Sequence, residues 1–113
     1  QIIPKLPYIN KEETLKFYTE KLRYKLISDY GDYFIMTVDS EEIHFFLFFF
    51  LDPKKSDFMI HLRIENIENF YENLQTQNVK IHPNGKLETK PWKQKEFSIL
   101  DPNGTLLTFG ESQ

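Results

Sequence analysis

Pro91-Trp92-Lys93-Gln94-Lys95-Glu96-Phe97-Ser98-Ile99-Leu100-Asp101-Pro102-Asn103-Gly104-Thr105-Leu106-Leu107-Thr108-Phe109-Gly110-Glu111 is the stretch on which the fold reading turns. Two apolar runs with strand character, Phe97 to Leu100 and Thr105 to Phe109, flank Asp101-Pro102-Asn103-Gly104. Proline fixes one φ there and Asn-Gly tolerates positive φ, so the chain has to reverse and the two runs pair as a hairpin. An isolated Trp92, held behind Pro91, stands at its entrance.

Working back from the hairpin, Phe58 to Ile64 reads as a strand and Asn66 as the cap of a helix carrying Ile67, Phe70, Tyr71 and Leu74. A short strand over Val79 to Ile81 completes a βαβββ unit with the hairpin. The first half follows the same scheme. Ile2 to Leu6 is an apolar run, and Asn10 caps a helix whose first turn holds Glu12 and Glu13, favourable to the helix dipole. Leu15, Phe17, Tyr18 and Leu22 recur at helical spacing. Three β-rich runs follow, Lys25 to Asp29, Tyr33 to Val38 and Ile43 to Phe50, separated by short polar turns. Phe17-Tyr18 before Leu22 is echoed by Phe70-Tyr71 before Leu74. The expectation is therefore an α+β domain of two βαβββ modules, about 1–51 and 58–113, joined by a polar linker at 52–57.

Composition narrows the class. A chain of 113 residues with 40% hydrophobic and 27% charged residues is that of one globular domain with a modest core. Its net charge of −3 argues against nucleic acid, whose phosphates need a basic face. Lys93 and Lys95 beside Trp92 read as solvated surface and not as a phosphate site. Zero cysteines exclude disulfides, thiolate metal sites and a cysteine nucleophile, which suits a reducing cytoplasm. The longest apolar run, Ile43 to Leu51, falls well short of the roughly 20 residues a membrane span takes, so no membrane partner is expected. Position 1 is Gln, so an initiator Met and a few residues are expected upstream. Aromatic residues make up 16% of the chain, more than a small core uses, and some of them are expected to line a groove or a subunit interface.

The succession Pro91-Trp92, Glu96-Phe97, Asp101-Pro102-Asn103-Gly104 and Leu106-Leu107-x-Phe109 resembles the C-terminal end of bleomycin resistance proteins, a branch of the vicinal oxygen chelate superfamily that also holds glyoxalase I and the extradiol dioxygenases. The resemblance covers nearly the whole chain in pattern and only this segment in residue identity. It implies two modules whose curved sheets enclose a cleft, and a homodimer in which the modules of two chains complete each other; the linker is compatible with a domain-swapped dimer, and the swapped and unswapped forms both stand.

Metal-dependent members of that superfamily place His, Gln or Glu on the first and last strands of each module. Aligning the two helices puts those positions near Ile3, Met59 and Thr108, none of which binds a divalent ion usefully. His44 lies close to a fourth. His61 shares a strand face with Met59, and Glu42 shares one with His44. Two readings of these residues stand: a metal site of His44, His61 and Glu42 serving a lyase or dioxygenase, or hydrogen-bonded polar groups in a cleft. His82 precedes Pro83-Asn84-Gly85 and reads as exposed at a turn. No phosphate loop or nucleophile elbow is present, and neither a cofactor nor a catalytic residue is implied.

The favoured reading is a protein that sequesters a small molecule without changing it. Phe45, Phe46, Phe48, Phe49 and Phe50 form a nearly continuous aromatic run, so one face of that strand packs under the helices and the other meets the cleft. Rings suit a planar conjugated ligand by stacking. Bleomycin-type antibiotics carry a planar bithiazole and a cationic tail. By the resemblance, drug contacts fall in the loop after the second strand, here Tyr30, Asp32, Tyr33 and Phe34, and around Trp92. Phe46, Phe48 and His61 complete the expected ligand-binding set. Where the resistance proteins usually carry Gly after Pro-Trp, this chain carries Lys93, whose charge would disfavour a cationic drug.

Overall fold

The computed structural model describes all residues, 1–113. In chain order the elements are β1 (Lys5–Tyr8), α1 (Lys11–Glu20), β2 (Lys25–Asp29), β3 (Tyr33–Val38), β4 (Glu41–Leu47), a 3-10 turn (Pro53–Lys55), β5 (Met59–Arg63), α2 (Ile67–Thr76), β6 (Glu88–Thr89), β7 (Gln94–Leu100) and β8 (Leu106–Ser112). They form two four-stranded mixed sheets, ordered β1-β4-β3-β2 and β5-β8-β7-β6. In each sheet the first strand of the module runs parallel to the last, and the remaining pairs are antiparallel. The α+β architecture read from the sequence is the one observed. The chain divides into two compact units, Gln1–Phe58 with Asp101–Thr105, and Met59–Leu100 with Leu106–Gln113.

In the first unit α1 is capped as expected, the Asn10 side chain accepting from the Glu13 N–H at 2.8 Å. Tyr18, the inward residue of that helix, is fully buried against Phe45, which stacks on Phe34 with centroids 4.9 Å apart. Leu6, Met36 and Ile43 close this core. The Asp101-Pro102-Asn103-Gly104 turn packs here too. Asp101 accepts from the N–H groups of Asn103 (2.8 Å) and Thr105 (2.9 Å) and from the Tyr18 hydroxyl (2.7 Å). Asn103 accepts from the Ile9 N–H at 2.9 Å and donates to Thr14 at 3.2 Å. Gly104 sits at φ +80°, and a Cβ there would lie 2.0 Å from the Pro53 carbonyl oxygen, so the turn demands glycine twice over.

The second unit repeats that packing. Phe97 stacks on Phe109 at 5.3 Å, with Tyr71 edge-on to Phe97 at 5.0 Å and Leu62, Ile67, Leu74 and Leu107 buried around them. Its helix start differs from the expectation. Asn66 lies in the left-handed region at φ 54° and its side chain caps nothing; the Glu111 carboxylate accepts from the N–H groups of Asn66 (2.9 Å) and Ile67 (3.2 Å) instead.

Several strand limits also move. Ile2 is 95% exposed, and β1 starts at Lys5, where pairing with His44 begins. β4 stops at Leu47, because the chain turns at Phe48 to Leu51, so Phe48, Phe49 and Phe50 lie beyond the strand. The expected strand over Val79 to Ile81 shrinks to a single bridge between Ile81 and Ile99. The turn after His82 then presses Gly85 against Ser98, where a Cβ would meet the Ser98 Cβ at 2.7 Å, and edge pairing resumes only at β6.

Candidate functional site

Strand alternation gives each sheet an inner, apolar face and an outer one. On the first sheet the outer positions are Lys5 and Pro7 on β1, Tyr33, Ile35 and Thr37 on β3, and Glu42, His44 and Phe46 on β4, set by the pairs Lys5↔His44, Ile35↔His44, Tyr33↔Phe46 and Thr37↔Glu42. Three of these side chains form a chain of hydrogen bonds. The Tyr33 hydroxyl lies 2.7 Å from His44 Nδ1, and His44 Nε2 lies 2.5 Å from Glu42 Oε2. The Tyr33 ring stands edge-on to the imidazole, with Lys5 Nζ 5.7 Å from its centroid. Phe46 is half-buried beside Phe48 and Phe58. Farther along, Phe48, Phe49 and Phe50 form an aromatic knob, with Phe49 and Phe50 largely exposed.

Phe34 has to be removed from the expected binding set. It is completely buried, stacked on Phe45 and tilted against Tyr8 at 4.9 Å, leaving no ring face for a ligand. The reason is the two-residue period of β3, which turns Phe34 inward once Tyr33 faces out. Tyr30 and Asp32 are exposed in the β2–β3 loop. The loop is held by the N–H of Tyr30 bonded to the Tyr33 carbonyl (2.8 Å), and by Lys11 bridging the Asp29 carboxylate (2.5 Å) and the Gly31 carbonyl (2.9 Å). Lys11 and the Gly31 N–H hold the exposed Asp29 carboxyl below its ordinary value.

On the second sheet the outer row is Met59, His61 and Arg63 on β5, Thr108 and Gly110 on β8, and Gln94, Glu96 and Ser98 on β7. Gly110 matters here because a Cβ would lie 2.8 Å from His61 Nε2 and 3.1 Å from Gln94 Oε1, so its missing side chain is the space those groups occupy. Ser98 and Thr108 share a hydroxyl hydrogen bond of 2.8 Å. Trp92 tops a three-residue loop, Pro91-Trp92-Lys93, closed by the Lys90 N–H to the Gln94 carbonyl at 2.7 Å. Its third residue takes the left-handed conformation usual in such loops, Lys93 φ 63°. The indole is 63% exposed, and its N–H donates to the buried Glu96 carboxylate at 2.7 Å. Lys95 is engaged by Glu68.

Neither unit by itself holds the alternative metal set complete. His44 and Glu42 bond each other within the first unit, His61 is an exposed residue of the second, and within neither unit does a group of three His, Asp or Glu side chains come together. His82 is half-buried, not exposed, its Nδ1 accepting from the Asn84 N–H at 3.1 Å. A hollow of about 230 Å³ at the start of α2 is lined by Asn66, Ile67, Glu68, Asn69 and Glu111. It is no anion site, because the Glu111 carboxylate already occupies two of the free N–H groups. No helix is long and apolar enough to cross a membrane.

The sequence reading missed the Tyr33–His44–Glu42 chain and the Trp92–Glu96 pair. The first was accessible: a two-residue turn at Asp39-Ser40 pairs Val38 with Glu41, and counting back sets Ile35 opposite His44 with Tyr33 beside it.

Comparisons with known proteins agree with this architecture. The chain is 22% identical to the bleomycin resistance protein of Geobacillus stearothermophilus over an alignment of 127 positions, gaps included, covering 96% of this chain and 94% of that one. A solved bleomycin-binding protein complexed with bleomycin superposes with a TM-score of 0.88 at 26% identity, covering 100% of this chain and 98% of the other. A bleomycin resistance determinant encoded on the transposon Tn5 superposes at 0.89 with 25% identity and the same coverage. The family model for the Glyoxalase/Bleomycin resistance protein/Dioxygenase superfamily matches residues 6–109, and the chain belongs to that superfamily.

Proposed function

We propose that this chain binds an aromatic or glycopeptide-type antibiotic, bleomycin-like in carrying a planar ring system, and sequesters it without chemical change. The observation that carries the reading is the whole-length similarity to a protein solved with bleomycin bound. The outer faces of the two sheets support it, since the aromatic and polar groups they display are not used by either core. Tyr33, Phe46 and Phe48 from the first unit, with Tyr30 and Asp32 in its loop, supply rings and one carboxylate; the second unit supplies Trp92 and His61. Stacking on such rings contributes about 0.5–1.5 kcal/mol each beyond the area buried. In this proposal a second copy of the chain completes each groove, as the resemblance to the resistance proteins implies.

The lone tryptophan makes the test direct. Metal-free bleomycin titrated into the protein should change Trp92 emission saturably, and Trp92→Ala should weaken binding measured by calorimetry about tenfold, the loss of one stacked ring. Asp32→Asn should weaken it less, because an exposed ion pair contributes only about 0–1 kcal/mol. Unchanged emission with no heat of binding would end the drug-binding reading, and a Trp92→Ala protein that binds as tightly as the parent would end the assignment of the site.

A further inference from the structure

The Tyr33–His44–Glu42 chain has a direction. A carboxylate oxygen only accepts, so at Glu42 the hydrogen of the 2.5 Å bond belongs to His44 Nε2. A neutral imidazole carrying its proton on Nε2 has a lone pair on Nδ1, which therefore accepts the Tyr33 hydroxyl proton across 2.7 Å. The Tyr33 oxygen has then given away its only hydrogen and retains its lone pairs. His44 and Glu42 are partly shielded, with side-chain exposures of 21% and 30%, so water competes weakly for these bonds. The titratable groups around His44 are Lys5 from β1, Tyr33 from β3 and Glu42 on β4 itself.

We infer that this relay makes Tyr33 a fixed hydrogen-bond acceptor on the outer face of the first sheet, so that this face selects aromatic ligands presenting an N–H or O–H donor at the edge of the ring. The inference rests on the reading that this face meets the ligand. Phe46, opposite Tyr33 in the β-ladder, displays a ring on the same face of the sheet. Adding a proton to His44 reverses the polarity: Nδ1 becomes a donor, the Tyr33 oxygen accepts from it, and the phenol hydrogen is released toward a ligand acceptor.

The experiment pairs indole with 1-methylindole, planar probes that differ by one N–H donor, and measures their binding to the full chain by ligand-observed NMR. Indole should bind roughly tenfold more tightly, the worth of one well-made hydrogen bond in a shielded site. The preference should vanish in Tyr33→Phe, which keeps the ring, and shrink in His44→Phe, where the hydroxyl is free to donate. Long-range proton–nitrogen spectra should place the His44 hydrogen on Nε2, and acidifying until both nitrogens are protonated should abolish the preference. A merely structural relay would leave the indole ratio unmoved by Tyr33→Phe. Equal binding of the two indoles, binding of neither, or a hydrogen on Nδ1 at neutral pH overturns the inference. Failure of bleomycin to bind would not remove a demonstrated indole preference, and a bleomycin complex without that preference would sink this inference alone.

Discussion

The two sheets are built on one inner ladder and carry two different outer faces. Leu6, Phe34 and Phe45 of the first sheet hold the register positions of Leu62, Phe97 and Phe109 of the second, and in both a stacked Phe pair meets a tyrosine from the helix. Outward the correspondence stops. Lys5, Ile35 and His44 stand where the second sheet has His61, Ser98 and Thr108, and Tyr33 with Phe46 stands where it has Glu96 with Gly110. Inner positions answer to packing, which accepts few solutions; outer positions are free to differ, and the chemistry of the protein is written there.

If the inner ladders are equivalent, Phe45→Ala and Phe109→Ala should each cost about 3–5 kcal/mol in urea unfolding. A cost below about 1 kcal/mol at either site would break the equivalence. Gly104→Ala comes next, at more than about 2 kcal/mol, because the left-handed backbone and the Pro53 carbonyl both oppose a side chain. Its loss should appear as a lowered thermal midpoint. Gly110→Ala probes an outer face: about 1 kcal/mol of stability and a displaced His61 resonance, with the core signals unmoved.

Smaller still is a pH effect confined to the first unit. Burial raises the Asp101 carboxyl above its ordinary 3.8, against the lowering pull of Tyr18 and the turn N–H groups. An acid whose native value exceeds its unfolded one holds more protons when folded, so its contribution to stability falls as pH rises from about 3.8 through the raised native value. Asp101→Asn should remove that slope in stability measured across the interval. Lys93→Gly should change least, raising stability by about 0.5 kcal/mol as left-handed strain is relieved against a more flexible unfolded chain.

Much of this was legible in the chain. β2 and β3 fall on the runs read from the sequence, and the Asp-Pro-Asn-Gly reversal and the Asn10 cap are as expected, since local propensity and tertiary packing agree there. What escaped depends on partners remote in sequence. The α2 cap comes from Glu111, 45 residues from Asn66. Val79 to Ile81 reads as a strand but finds one bridging partner, because the turn that follows draws Gly85 onto Ser98. The site was half legible: composition announces surplus aromatics, but only the β3 register tells outward Tyr33 from inward Phe34. The departure at Lys93 also reads differently in three dimensions, because lysine there adopts the backbone conformation a glycine would.

Sequestration is tested most directly by calorimetric titration of metal-free bleomycin into the protein, followed by recovery of the drug and measurement of its mass. The account predicts saturable binding on the order of micromolar or tighter, one drug per chain, and a drug recovered unaltered. No heat of binding at that concentration, or a drug returned with a changed mass, would contradict it.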